Sequence, residues 1–194
     1  IQKRKIINKD VKWINNFSVI KKGPVIFFGN EFFDAIPIKQ FKKLNNSIFE
    51  KKFILDKNYK IKQIFKKASA LNIKTIRSYR TLNKLKFIEF PKLGLNELNK
   101  MIQKVIKLSG GILLIDYGYL KPKNISSIQS VLKHKKNNLF NNLGKADITS
   151  LVNFSLLEEY FKKQNLKVKK IVSQKFFLER MGIIARANIL SKKM

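Results

Sequence analysis

Glu31 and Asp34 flank Phe32 and Phe33 in a chain that carries 42 lysines and arginines against 12 acidic residues. Acidic residues are scarce here, so where they sit is informative. Two carboxylates three residues apart on a turn can face one way. Together they suit a cationic guest. A guanidinium suits them best, because its fixed N–H fork matches paired carboxylates. A guanidinium keeps its charge at neutral pH, so the carboxylates would orient it rather than remove a proton outright. The competing reading is local: Glu31 caps a short helix and Asp34 pairs with a nearby lysine. Spacing alone leaves both open.

Asp116 presents the same choice, facing a ligand crevice or capping the turn Asp116-Tyr117-Gly118. Tyr117 either lines a pocket or belongs to the core. Trp13, the only tryptophan, is a core side chain or a flat wall for a base. His134 sits in Lys133-His134-Lys135-Lys136, where neighbouring charges disfavour its protonated form. It reads as structural or phosphate-facing rather than catalytic. With no cysteine and one histidine, thiolate zinc sites, disulfides, Cys nucleophiles and His-pair sites are excluded. No G-x-G-x-x-G, Walker loop or metal-ligand cluster occurs, so no complete cofactor site is present by motif and no metal is expected.

The elements that must position these residues follow from apolar patterning. Val25-Ile26-Phe27-Phe28 and Ile112-Leu113-Leu114-Ile115 are continuous apolar runs. Such runs predict strands buried on both faces, as in a parallel sheet. Both end in polar, glycine-containing turns, Gly29-Asn30-Glu31 and Asp116-Tyr117-Gly118. Ligands of α/β sheets bind beyond the carboxyl ends of strands, so chemistry is expected there. Residues 36–65 alternate apolar side chains with lysine and predict two or three antiparallel strands. Residues 11–14, 87–90, 127–133 and 168–172 are further strand candidates, and 66–80 is ambiguous. A helical period runs from Leu95 to Leu108 and stops at Ser109-Gly110-Gly111. Asn153 can cap a helix over 154–163, and 176–190 is helical with a break at Gly182. Residues 2–9 read as a helix tail. The order predicts an α/β fold with an antiparallel insertion over 36–65.

A net charge of +30 attracts polyanions whatever the chain's task. The basic residues are 37 lysines and only five arginines, spread along the chain rather than gathered. Lysine-rich drift over solvated faces is therefore favoured over specific nucleic-acid binding. The opening Ile-Gln-Lys-Arg-Lys lacks a signal-peptide pattern, and no apolar run spans a bilayer. The expected compartment is the bacterial cytoplasm, with the mitochondrial matrix as the alternative.

The stretch from Gly29 to Phe41 (Gly-Asn-Glu-Phe-Phe-Asp-Ala-Ile-Pro-Ile-Lys-Gln-Phe) resembles the MidA-type S-adenosylmethionine-dependent methyltransferases, which include a mitochondrial complex I assembly factor. The resemblance continues through Gly110 to Tyr119, Ile128 to Val131 with His134, Gly144 to Thr149 with Val152-Asn153-Phe154, Ser173 to Leu178 and Gly182 to Ala187. Departures fall at Lys145, Leu151 and Asn153, where the family has an acidic residue, a histidine and an aspartate. The resemblance implies a Rossmann-like class I methyltransferase sheet, with residues 1–194 as the carboxyl-terminal part of one domain. The glycine-rich cofactor loop would then lie upstream of Ile1, and Ile1 to Lys5 would belong to the helix after the second strand. It implies S-adenosyl-L-methionine as methyl donor and a protein arginine as acceptor, for example on a respiratory complex I subunit. Glu31 and Asp34 would be catalytic. Asn30, Phe32, Phe33, Asp116 and Tyr117 would meet the substrate, and Trp13 with Asn30 the cofactor. The alternatives are an inert scaffold retaining the fold and a basic nucleic-acid binder.

Overall fold

The computed structural model describes residues 10–121 and 123–192. A short 3-10 turn at Phe17–Val19 leads to strand β1, Val25–Asn30. Then come β2 (Lys39–Leu44), β3 (Ser47–Leu55) and β4 (Ile61–Lys67), helices α1 (Ala70–Arg77) and α2 (Arg80–Asn83), and β5 (Phe87–Phe90). Helix α3, Lys92–Leu108, precedes β6 (Gly110–Ile115) and β7 (Gly118–Tyr119). Strands β8 (Gln129–Leu132), β9 (Lys135–Asn137), β10 (Asp147–Thr149) and β11 (Val152–Asn153) follow, then α4 (Phe154–Lys163), α5 (Gln174–Arg180) and α6 (Ile183–Ser191).

Strands β1 and β6 pair in parallel, in register from Val25 opposite Gly110 to Asn30 opposite Ile115. Their carboxyl ends therefore reach one edge together. A four-stranded antiparallel sheet in the order β4-β3-β2-β5 stands beside them. A β8-centred sheet carries β9 and β10, and β7 pairs in parallel with β11. Lys133 and His134 both take positive φ, 49° and 62°, between β8 and β9. That is the geometry of a two-residue hairpin turn, so exposed His134 has a structural place.

The core lies between the antiparallel sheet, α3 and α4. Phe41, Ile88, Leu98, Ile102 and Leu156 are fully buried there. Helix α3 puts Leu95, Leu98, Ile102 and Val105 on its inner face at three- and four-residue spacing. Asn153 caps α4, its Oδ1 accepting from the Leu156 amide at 3.1 Å. Gly182, at φ 87°, separates α5 from α6.

Three expectations need correction. β1 is not buried on both faces: Ile26 is 78% and Phe28 64% exposed. Among the described residues only one side of the strand is covered, and α3 is the helix that packs on it. Residues 11–14 and 168–172 form no strand. Neither stretch has a neighbouring strand to pair with among the described residues, and apolar patterning without a partner leaves the backbone unbonded. The undecided 66–80 stretch holds the end of β4 and helix α1, started by Ser69 accepting from the Asn72 amide at 3.3 Å. The predicted helix tail at 2–9 lies outside the described residues. Among the described residues no helix is long and apolar enough to cross a membrane.

Candidate active site

At the shared edge of β1 and β6 the chain turns sharply. The Glu31 amide donates to the Ile115 carbonyl at 2.9 Å, extending the parallel ladder by one residue. Glu31 then adopts φ 48°, in the left-handed region that a non-glycine residue rarely occupies. Such strain persists only where the surroundings hold it, and it gathers at functional sites.

Asp116, leaving β6, holds the turn in place. Its Oδ2 accepts from the Phe33 amide at 2.7 Å and the Asp34 amide at 3.2 Å, across more than eighty residues of chain. Its Oδ1 accepts from the Tyr117 amide at 2.8 Å. Asp116 is thus bound to the backbone of the turn. The Tyr117 hydroxyl donates to Glu31 Oε1 at 3.3 Å. Glu31 raises the Tyr117 phenol above its ordinary pKa, through its charge and then through that bond.

Glu31, Asp34 and Asp116 therefore meet at one sheet edge. Among the described residues neither Glu31 nor Asp34 is ion-paired with a lysine. No helix starts at Glu31 either, so both local alternatives fall away. Asp34 Oδ1 is buried with no hydrogen-bond partner. Burial first, and then the Asp116 charge, raise the Asp34 carboxyl above its ordinary value. The edge has surplus negative charge in a strongly basic chain, which is the setting for a bound cation.

The remaining candidates separate. Asn30 is exposed at the end of β1, beside the turn. Phe32 is 38% exposed and stands at the surface of the turn. Phe33 is 3% exposed and packed against α3. A Cβ at Gly94 would lie 2.5 Å from its ring, so Gly94 makes room for Phe33. Trp13 is 41% exposed in the irregular stretch before the 3-10 turn, and no element positions it at the carboxylates.

Beside Phe33 the sequence reading missed a small cavity of about 20 Å³, mostly apolar but with polar side chains in its wall, room for about one water. Glu89, Tyr119, Ser150 and Asn153 line it. Glu89 is 8% exposed; its Oε1 accepts from Gln40 at 2.7 Å and the Ser127 amide at 2.9 Å. Its Oε2 accepts from the Ser127 hydroxyl at 2.5 Å. Tyr119 is pushed up to about 12 by burial and by Glu89. The available signal was the glutamate inside the apolar strand Phe87-Ile88-Glu89-Phe90. The cavity touches the site through Ser150, whose amide donates to the Asp34 carbonyl at 2.9 Å.

Comparison with known proteins adds family and fold. Residues 1–172 match the model of a family described as "Putative S-adenosyl-L-methionine-dependent methyltransferase". A Caenorhabditis elegans protein named "Protein arginine methyltransferase NDUFAF7 homolog, mitochondrial" is 28% identical over 177 residues, 90% of this chain and 41% of that protein. The Homo sapiens protein named "Protein arginine methyltransferase NDUFAF7, mitochondrial" is 24% identical over 185 residues, 94% and 41% respectively. The chain thus spans about two-fifths of the length of the curated relatives it matches. A Burkholderia thailandensis protein, solved bound to S-adenosyl-homocysteine, superposes with a TM-score of 0.69 at 18% identity. The superposition covers 93% of this chain and 47% of that one, and shows a shared α/β fold.

Proposed function

The chain belongs to this family of S-adenosyl-L-methionine-dependent methyltransferases, and on that premise we propose that it supplies the acceptor-binding half of a protein arginine methyltransferase. One observation carries the reading: three carboxylates meet at the carboxyl edge of two parallel strands, one of them with a buried, unpartnered oxygen. The names of the curated relatives support arginine as the acceptor.

The donor set fits the cationic part of the cofactor. S-adenosyl-L-methionine carries a sulfonium and an ammonium, and surplus carboxylate at this edge offers them counter-charge. When bound it supplies a methyl group to a nucleophilic nitrogen. Asn30, at the end of β1, is the polar side chain here that would share its surroundings, and Trp13 would offer an aromatic face.

The chain's own residues do the rest. Glu31 and Asp34 orient a guanidinium and hold its charge, and Phe32 screens one side from water. The Tyr117 hydroxyl fixes the Glu31 carboxylate. Asp116 keeps the turn in register, so it is a positioning residue. A guanidinium nitrogen that gains a methyl must release a proton. Asp34, whose carboxyl is raised by burial and by the neighbouring Asp116 charge, is the group proposed to receive it. Catalysis here is positioning and electrostatics.

The test uses the longest natural form of the protein, with labelled methyl transfer to an arginine peptide and calorimetry with S-adenosyl-L-methionine. Glu31→Gln and Asp34→Asn should each lower turnover at least a hundredfold, a larger effect than the fall in cofactor affinity that the lost counter-charge causes. Unchanged turnover in both variants would remove the turn from the acceptor role.

A further inference from the structure

The antiparallel sheet ends differently on its two sides. At the β5 end the edge is sealed: Asn124 Oδ1 accepts from the Lys86 and Phe87 amides, and the Ser127 amide donates to Glu89. At the other end β4 pairs with β3 alone, and among the described residues no segment bonds its outer edge. Strand β2 covers β3 only from Ser47 to Glu50, so residues 51–55 and 61–65 continue as a two-stranded ribbon beyond the sheet.

The ribbon has an uneven surface. Residues 51–67 hold seven lysines and one aspartate. That aspartate, Asp56, is already paired with Lys62 at 3.1 Å. Along β4, Lys62 and Lys66 share one face with Ile64, and Ile61 and Phe65 share the other. Ile61 is 42% and Phe65 38% exposed. Lysines alone would serve to blunt an exposed edge. They do not account for apolar side chains alternating with them in the open.

We infer that the outer edge of β4 binds an extended acidic segment of a partner polypeptide by strand addition. The backbone groups of the edge supply the hydrogen bonds. Acidic side chains on one face of the added strand meet Lys62 and Lys66, and apolar ones on the other face meet Ile61 and Phe65. A polypeptide satisfies all three at once. A nucleic acid satisfies only the charge, and the ribbon contains no arginine to fork onto phosphate. The inference stands apart from methyl transfer, because binding is read on the chain itself.

The probe is a fluorescent eight-residue peptide of alternating glutamate and valine. Its block isomer, four glutamates then four valines, has the same charge and composition. At physiological salt the alternating peptide should bind at least tenfold more tightly than the block isomer. N-methylation of alternate amides, which removes edge hydrogen bonds, should cost it at least tenfold. Lys62→Glu/Lys66→Glu should weaken binding at least tenfold, and the equal charge change Lys169→Glu/Lys170→Glu less than threefold. Hydrogen exchange on the unaltered protein should show alternate amides of residues 61–67 gaining protection with the peptide. Equal binding of both isomers, equal loss in both double variants, or no added protection would each overturn the inference. So would protection by single-stranded oligothymidine that the peptide cannot displace.

Discussion

Replacing Asp116 with alanine tests whether this side chain is what holds the acidic turn to the end of β6. The carboxylate accepts three amide hydrogen bonds, from Phe33 at 2.7 Å, Asp34 at 3.2 Å and Tyr117 at 2.8 Å. The Tyr117 amide is exposed, and water replaces that bond at little cost. The Phe33 and Asp34 amides are partly buried, and each bond to an ionised acceptor is worth about 1.5–3 kcal/mol. Removing one of three crowded carboxylates offsets part of that, because the Asp116 charge raises Asp34. The net loss is about 3 kcal/mol, the low end of the two bonds together. For a chain of this size that lowers the melting temperature by roughly 6–12 °C. Thermal unfolding at pH 7, followed by far-ultraviolet circular dichroism, reads it directly. Asp116→Asn keeps an acceptor and the shape but loses the charge, and should cost about 1 kcal/mol. An Asp116→Ala protein within about 1 kcal/mol of the parent, or more stable than it, would refute the latch.

Four further outcomes are expected. Asp34 titrates above its ordinary value when folded, so the folded state holds more protons than the unfolded state between those two values. Stability to urea should therefore fall as pH rises through that window, and Asp34→Asn should flatten the fall; an unchanged slope would count against the burial of Oδ1. Glu31→Gly should relieve the left-handed strain at φ 48° and raise urea stability by up to about 1 kcal/mol while lowering turnover. Asn153→Ala should cost about 1 kcal/mol in chemical denaturation, the worth of the α4 cap. Gly118→Ala places a Cβ 2.2 Å from the Val152 carbonyl, so unfolding should show a loss of about 2 kcal/mol or more as β7 and β11 part.

The sequence made the local features readable. The period of residues 95–108 announced α3, Asn153 the cap of α4 and Gly182 the break between α5 and α6, because each depends on neighbours within four residues. The two apolar runs announced β1 and β6, and their polar ends announced the edge where the carboxylates gather. What stayed hidden depends on distant partners. The apolar residues at 11–14 and the alternation at 168–172 look like strand, but a strand exists only where another backbone lies alongside. The grip of Asp116 on the Phe33 and Asp34 amides joins residues more than eighty positions apart, and no local pattern encodes it. Phe33 read as a pocket wall beside Phe32, yet Gly94 opens a slot for its ring in the core. Glu89 looked like one glutamate among twelve acidic residues until the Gln40 and Ser127 bonds placed it beside the site.

The open side of β1 bears on how the parallel sheet is layered. Among the described residues Ile26 and Phe28 stand out from a two-stranded sheet whose other face α3 covers. Parallel sheets carry packed layers on both faces, so the alternation that turns Val25 and Phe27 inward also presents apolar side chains on which a second layer can stack.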